Sequence, residues 1–194
     1  YRTFIDNLLT NIGDSRYIFI GGLSMSGKST LASLIKHYIV KQGKKAHVVD
    51  LGHFFSEDNL DNKLISESSH TKKLNAMFSC LQKGESYFYQ DVGFDRITNQ
   101  VMDFGESDIC IDDVVIVDGS NSLKFFDQND FPGVRKVVKS SVECRYRRFF
   151  DKYGLSEFSS REIKDIWTHI TNTEDVFSVE DVSNANYVFD NSTF

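Results

Sequence analysis

The chain of 194 residues contains little proline and no long apolar run. Its single proline, Pro132, leaves no proline-rich linker, and no internal repeat or low-complexity tract divides the sequence. With 40% hydrophobic residues, a chain of this length is long enough for one well-buried core and short for two. We therefore expect one domain over residues 1–194.

Cysteine is also scarce, which excludes two structural classes. Cys80, Cys110 and Cys144 form no C-x-x-C pair, and the five histidines are scattered without ligand spacing. Neither a disulfide framework nor a zinc site is indicated. No apolar run approaches the roughly 20 residues that span a bilayer, and no secretory signal opens the chain. These absences predict a cytoplasmic protein without a membrane partner, although a start at Tyr1 leaves open whether a leader was removed.

Positive charge is in the minority. The 22 lysines and arginines stand against 28 aspartates and glutamates, giving a net charge of −6. Proteins whose main task is to hold nucleic acid usually carry a basic excess. We therefore predict no nucleic-acid partner, while a local basic patch and a homo-oligomer both remain compatible with the sequence.

The most informative segment present is Gly22–Ser29, which reads G-L-S-M-S-G-K-S and matches the phosphate-binding loop G-x-x-x-x-G-K-[ST]. Its glycines let the backbone curl so that successive N–H groups and the start of the next helix converge on an anion. Lys28 would reach the β- and γ-phosphates of a nucleoside triphosphate, and Ser29 would bind Mg²⁺. The alternative, a plain turn between strand and helix, is disfavoured by the specificity of the motif. The predicted nucleotide-binding residues are Gly22, Ser24, Ser26, Gly27, Lys28, Ser29 and Thr30.

Short β-branched runs alternate with helical patterns along the chain. The continuous apolar run Val114–Val117 suits a strand buried on both faces, and the alternation predicts an α/β fold with a doubly wound parallel sheet. A small β-hairpin is predicted at Ile97–Met102, beside the main sheet and over the mouth of the site. The predicted strands are Tyr17–Ile20, Ala46–Asp50, Val114–Asp118, Val134–Lys139 and Tyr187–Phe189, and the predicted helices are Lys28–Gln42, Ser69–Lys83, Val142–Lys152 and Ser160–Thr171.

Two carboxylates follow predicted strands. Asp118 ends an apolar strand at the edge where doubly wound sheets bind ligands, so it would face the Mg²⁺ shell or orient an attacking hydroxyl. Asp50 ends another strand, ahead of the aromatic pair Phe54 and Phe55, and could accept the proton of an acceptor hydroxyl while the aromatics hold the substrate. Asp58 is a further candidate in the loop. The alternatives are an acid that begins a turn, an acid that caps a strand, and core phenylalanines.

A basic cluster lies on the third predicted helix. Arg145, Arg147 and Arg148 would belong to a lid around residues 145–161 that closes over bound phosphates. Guanidinium groups suit phosphoryl oxygens because they neutralise charge that develops during transfer. Arg148 is our candidate catalytic arginine, although the sequence singles out none of the three, and a solvated helix face is the alternative.

Together these segments resemble the uridine kinase and phosphoribulokinase group of P-loop kinases, over most of the chain from about Tyr17 to Phe189. The resemblance implies ATP- and Mg²⁺-dependent phosphorylation of a hydroxyl on a nucleoside or another small ribose-like metabolite. It also implies that Phe94, Asp95 and Arg96 contact the acceptor. The likeness is carried by Ile18–Thr30, Val48–Phe55, Phe94–Thr98, Val114–Gly119 and Arg145–Lys152.

One departure from that family concerns the catalytic base. The family's aspartate usually stands two positions before the aromatic pair, where this chain has Gly52. Either Asp50 or Asp118 replaces it, or acceptor phosphorylation is weak or absent. Three hypotheses follow: a small-molecule kinase, a regulatory or assembly module that binds ATP without turnover, and an ATPase that uses water.

Overall fold

Within the described residues, the main sheet has five strands, all of them parallel. The computed structural model describes residues 12–51, 67–95, 100–120, 122–123, 133–154, 159–174, 182–183 and 185–192. The sheet contains β1 (Tyr17–Gly21), β2 (Ala46–Asp50), β5 (Val114–Asp118), β6 (Val134–Lys139) and β7 (Tyr187–Asp190). Their order across the sheet is β2-β5-β1-β6-β7, and every neighbouring pair is parallel. The strand that leads into the phosphate loop is therefore central.

Helices cover both faces of this sheet. They are α1 (Lys28–Lys41), α2 (Glu67–Gln82), α3 (Val142–Tyr153) and α4 (Ser160–Glu174). Alternate residues of β1 face opposite sides, as the two-residue period of a strand requires. Ile18 and Ile20 pack in a cluster with α1, whereas Tyr17 and Phe19 pack in a second cluster with α2. The predicted doubly wound α/β fold is confirmed.

A two-stranded antiparallel hairpin stands beside the main sheet. Its strands are β3 (Tyr87–Asp95) and β4 (Gln100–Ile109), with a shift of register between Asp91 and Val92. The hairpin is much longer than the predicted segment Ile97–Met102, of which residues 97–99 lie outside the described part of the chain. Polar residues fill much of both strands, so their apolar periodicity is weak and the prediction found only part of the hairpin.

A separate small core joins the last two helices. Phe149 of α3 packs with Ile163 and Trp167 of α4, and the ring centroids of Phe149 and Trp167 lie 5.3 Å apart. Met25 of the phosphate loop packs against this cluster. The predicted lid region therefore begins on a helix that is packed against the loop. None of the described helices has both the length and the apolar character needed to cross a bilayer.

Candidate active site

At two positions the backbone of the phosphate loop has a conformation that favours glycine. Gly22 has φ +142° and Gly27 has φ +105°, both in the region that disfavours side chains. A Cβ on Gly22 would collide with the carbonyl oxygen of Val138 on β6, and one on Gly27 would collide with Nδ2 of Asn191. The two glycines of the motif thus permit both the turn and its close packing against the sheet.

Helix α1 begins directly behind this turn. Its first backbone hydrogen bond runs from the amide of Leu31 to the carbonyl oxygen of Gly27, at 3.0 Å. Gly27 is the N-cap residue and offers no capping side chain, and the first turn contains no acid. The amides of that turn therefore have no local carboxylate or capping hydroxyl to satisfy them. Such a terminus favours an anion through its amides and through the helix dipole.

Lys28 lies across the loop. Its Nζ donates a hydrogen bond to the carbonyl oxygen of Leu23 at 2.9 Å, and the same oxygen accepts from the amide of Ser26 at 3.2 Å. The ammonium group is therefore already held at the loop. If the ammonium group moved onto phosphate oxygens, it would exchange a neutral carbonyl acceptor for a negatively charged one.

The hydroxyl residues of the motif differ in accessibility. Ser29 and Thr30 are exposed on the first turn of α1, where a hydroxyl can reach a ligand. Ser26 is 1% exposed, and its Oγ has no hydrogen-bond partner in the described part of the chain. A buried hydroxyl without a partner costs roughly 1–3 kcal/mol. Ser24 is half-buried, and its carbonyl oxygen accepts a hydrogen bond from Arg145.

The two predicted carboxylates are neighbours. Asp50 and Asp118 are register partners at the ends of β2 and β5, and Asp118 is also the register partner of Ile20 on β1. Val49 and Val117 pack in the cluster on the α2 face, so strand alternation directs both carboxylates toward the α1 face. Asp118 is 2% exposed and Asp50 is half-buried.

A buried tyrosine of the hairpin reaches the end of β2. The hydroxyl of Tyr89 donates to Oδ1 of Asp91 at 3.2 Å, and Tyr89 is 4% exposed. Burial, followed by the negative charges of Asp91 and Asp50, raises the pKa of Tyr89 far above its usual value, although a backbone hydrogen bond with Asp50 opposes this shift. The phenol therefore stays protonated and can hold the Asp91 carboxylate. Sequence reasoning missed both residues, although their spacing of two in the pattern Tyr87-Phe-Tyr-Gln-Asp91 was a usable signal.

The predicted lid arginines lie in two environments. Arg145 is 3% exposed, and its Nε donates to the carbonyl oxygen of Ser24 at 2.7 Å. Arg148 donates to the carbonyl oxygens of Met25 and Ser26, at 3.1 and 3.3 Å. Arg147, between them, is exposed. Two arginines thus contact the backbone of the phosphate loop.

The remaining predicted site residues fall on other parts of the chain. Phe94 and Asp95 lie in the last two positions of β3. Phe54, Phe55, Asp58 and Arg96 lie outside the described residues, as does Gly52. The predicted contacts of all these side chains with an acceptor stay predictions.

Mg²⁺ has no ready-made cage in the described part of the chain, where no group of three or more histidine, cysteine, aspartate or glutamate side chains is placed to hold a metal ion. This suits the habit of Mg²⁺, which usually takes one or two protein oxygens together with phosphate oxygens and water. The predicted metal ligands are Ser29, on the first turn of α1, and Asp118, which ends the strand beside β1.

A cavity of about 410 Å³ opens at the other end of the strands. Its lining includes Arg16 and Val114, at the amino ends of β1 and β5, together with Gln42 beyond the end of α1. It shares no residue with the phosphate loop. Since doubly wound sheets bind ligands at the carboxyl ends of their strands, we place the candidate active site at the loop.

Comparisons with known proteins support this fold. No protein-family model and no curated protein sequence matches the chain. Among solved structures, a protein of Silicibacter sp. TM1040 proposed to be a fructose transport system kinase superposes with a TM-score of 0.63 at 16% identity, covering 96% of this chain and 97% of that one. A protein of Bacillus stearothermophilus proposed to be a uridine kinase gives 0.54 at 18% identity, covering 97% and 98%.

The structure of YGR205w protein is a third neighbour, with a TM-score of 0.60 at 12% identity, covering 89% of this chain and 82% of that one. Sequence identities this low carry information about fold alone. The predicted likeness to P-loop kinases is confirmed at that level: the chain has the α/β fold of the P-loop kinases, and a protein proposed to be a uridine kinase is among its structural neighbours.

Proposed function

We propose that this chain is an ATP- and Mg²⁺-dependent phosphotransferase that phosphorylates a hydroxyl of a nucleoside or another small ribose-like metabolite. One observation carries the proposal: Asp50 and Asp118 end adjacent strands on the face that also carries α1 and its phosphate loop. Transfer of a γ-phosphoryl group to a hydroxyl needs a phosphate cradle, a metal site and a group that orients the nucleophile. One edge of this sheet carries residues whose chemistry suits all three tasks.

The strand order favours a different role for each of the two carboxylates. Neighbouring strands lie about 4.8 Å apart, so Asp118 is one strand spacing from β1 and Asp50 is two. Asp118, nearly buried and next to the loop, would hold Mg²⁺ together with the hydroxyl of Ser29. Asp50, more accessible and farther from the loop, would face the acceptor. When bound, Mg²⁺ neutralises charge on the β- and γ-phosphate oxygens.

The chain's own groups then account for the transfer. Lys28 would leave the carbonyl oxygen of Leu23 for the β- and γ-phosphates. The acceptor oxygen forms a bond to the γ-phosphorus while the bond from that phosphorus to the β–γ bridging oxygen breaks, and ADP leaves. Asp50 accepts the hydroxyl proton as the new bond forms.

The hairpin supports a polyhydroxylated acceptor. Tyr89 holds the carboxylate of Asp91 and interacts with Asp50 at the end of β2. Carboxylates accept hydrogen bonds from vicinal hydroxyls and repel anions. Neutral nucleosides and sugars should therefore be better acceptors than alcohols that carry a carboxylate or a phosphate beside the reacting group.

A second candidate function is a nucleotide-binding regulatory module without turnover. It is favoured by Gly52, which stands where the resembling family has its catalytic aspartate. In that case the phosphate loop would bind ATP and no acid would accept the hydroxyl proton at the usual position.

A coupled assay of ADP release tests the proposal. The purified chain is given Mg²⁺-ATP alone, then with neutral nucleosides and sugars, then with anionic alcohols. Turnover that depends on a neutral acceptor supports the kinase. Turnover without any acceptor indicates an ATPase, and tight ATP binding without turnover indicates the regulatory module.

A further inference from the structure

Three consecutive carbonyl groups of the phosphate loop are hydrogen-bonded to cationic side chains of α3. The Nε of Arg145 donates to the carbonyl oxygen of Ser24 at 2.7 Å. Nη1 of Arg148 donates to the carbonyl oxygens of Met25 and Ser26, at 3.1 and 3.3 Å. Hydrogen bonds from a charged donor are stronger than those from a neutral one.

Arg148 also ties the loop to the segments that follow β6 and β7. Its Nη1 donates to Oγ of Ser140 at 3.0 Å, and its Nη2 donates to the carbonyl oxygen of Asn191 at 2.7 Å. The side chain of Asn191 donates in turn to the carbonyl oxygen of Ser26, at 2.8 Å. The loop is thus bound to the residue after β6 and to the residue after β7.

Arg145 is anchored by packing as well. Its guanidinium carbon lies 5.3 Å from the ring centroid of Trp167, within range of a cation–π interaction. Met25 packs against the cluster that contains Trp167 and Phe149. Met25 has φ +60°, a conformation that costs a residue with a side chain roughly 1–2 kcal/mol and persists only where the surrounding contacts hold it.

Because the peptide group is planar, a contact that fixes a carbonyl group also fixes the direction of the next residue's amide. In a trans peptide group the C=O of one residue and the N–H of the next point in opposite directions. Fixing the carbonyl of Ser24 therefore fixes the amide of Met25, and fixing the carbonyl of Ser26 fixes the amide of Gly27. The arginines hold the carbonyl dipoles on the α3 side, so these two amides point away from α3.

We propose that Arg145 and Arg148, together with Asn191, are positioning residues that preorganise the loop's amides for polyphosphate. The inference rests on the proposed nucleotide site, and it gives the two arginines a different task from the predicted neutralisation of the transferring phosphoryl group. Their interaction with the nucleotide passes through the backbone of Ser24, Met25 and Ser26.

Calorimetry without any acceptor tests this inference separately from kinase activity. We would measure the binding of Mg²⁺-ATP, Mg²⁺-ADP and a β,γ-nonhydrolysable ATP analogue to wild type, Arg148→Met, Arg148→Lys and Asn191→Ala. The matched control is Lys164→Met, which removes one positive charge from an exposed position of α4. Arg148→Met should weaken all three nucleotides about tenfold or more and by similar factors, because the lost bonds involve a charged donor. Arg148→Lys and Asn191→Ala should give smaller losses, and the control none.

The split between binding and turnover separates positioning from catalysis. A positioning arginine raises the nucleotide KM while kcat at saturating nucleotide stays within about threefold of wild type. Unchanged nucleotide affinity in both Arg148→Met and Asn191→Ala, in folded protein, would overturn the inference, as would a lower kcat at unchanged affinity. If Arg148→Met does not fold, Arg148→Lys and Asn191→Ala decide. If the wild-type chain binds no nucleotide, the proposed function itself is wrong.

Discussion

At the scale of single residues, Lys28 links the loop's present hydrogen bonds to its proposed task. Its ammonium group is bound to the carbonyl oxygen of Leu23, which belongs to the loop itself. Removing the side chain would cost the loop this charge-assisted hydrogen bond, and under our proposal it would also cost a bound triphosphate its contact with the lysine of the motif. The two losses can be separated, because one affects the free protein and the other affects the complex.

We predict that Lys28→Ala abolishes the thermal stabilisation that Mg²⁺-ATP gives to wild type. At a ligand concentration of 100 times Kd that stabilisation amounts to about 2.7 kcal/mol. Lys36→Ala, at an exposed position of the same helix, is the matched control and should keep the full shift. Differential scanning fluorimetry across a range of ATP concentrations measures both. A wild-type shift in Lys28→Ala would place the phosphates elsewhere.

Substitutions of the two strand-end carboxylates should change different kinetic quantities. Asp50→Asn should lower kcat about 10²-fold to 10⁴-fold, the usual contribution of a general base, with nucleotide affinity kept. Asp118→Asn should raise the Mg²⁺ concentration needed for half-maximal activity, because a carboxylate ligand becomes a neutral amide. Asp112→Asn, exposed at the opposite end of the sheet, is the control. If Asp50→Asn turns over at the wild-type rate, Asp50 is not the proton acceptor.

At the scale of elements, the sequence predicted the strands of the main sheet best. The bounds of β2, β5 and β6 agree with the prediction, because each contains adjacent valines and lies between turn signals. The hairpin was found only in part, since polar residues interrupt the apolar periodicity of both its strands. The contacts of Arg145 could not be predicted, because the carbonyl that it binds is 121 residues away along the chain.

Strand β6 carries a buried lysine that no motif would reveal. Lys136 is 1% exposed, and its Nζ lies 4.7 Å from the ring centroid of Tyr187 on β7. Burial lowers the pKa of Lys136 to about 8 from 10.5. Between those two values the unfolded chain binds more protons than the folded chain, so this group makes the free energy of unfolding rise with pH in that window.

We predict that Lys136→Met stabilises the protein at pH 7 and that the gain shrinks as the pH rises above about 8. Below the lowered pKa the wild type buries a charge that methionine does not have, and above it the lysine is neutral in the folded state. Lys139→Met, exposed at the end of the same strand, should show neither effect. Urea denaturation at pH 7 and pH 9.5 measures the difference. An equal gain at both pH values would contradict the lowered pKa.

At the scale of the whole molecule, the strand order is what brings the residues of the candidate site together. Segments far apart in sequence meet at one edge of the sheet: the loop after β1, the acids ending β2 and β5, the start of α3 and the segment after β7. The sequence marks the loop by its motif and the acids by their strands. The meeting of Asn191 with the loop depends on the parallel pairing of β7 with β6, which no local pattern encodes.

A substitution at Gly22 tests whether nucleotide binding by the loop depends on its close packing against the sheet. A Cβ on Gly22 would collide with the carbonyl oxygen of Val138. This oxygen belongs to the backbone of β6, so it cannot move away by a side-chain rotation. We therefore expect Gly22→Ala both to lower the free energy of unfolding by more than about 1–2 kcal/mol, the cost of the φ angle alone, and to abolish nucleotide binding.

Gly43→Ala is the matched control for that substitution. Gly43 has φ +80°, and nothing lies within 4 Å of where its Cβ would stand. The control therefore carries the conformational cost without the collision, and it lies at the opposite end of α1 from the loop. Urea denaturation should rank Gly22→Ala below Gly43→Ala, while calorimetry should find wild-type Mg²⁺-ATP affinity only in the control. Equal stability losses in the two variants would mean that β6 yields to the added methyl group, and the loop would then not depend on a rigid contact with the sheet.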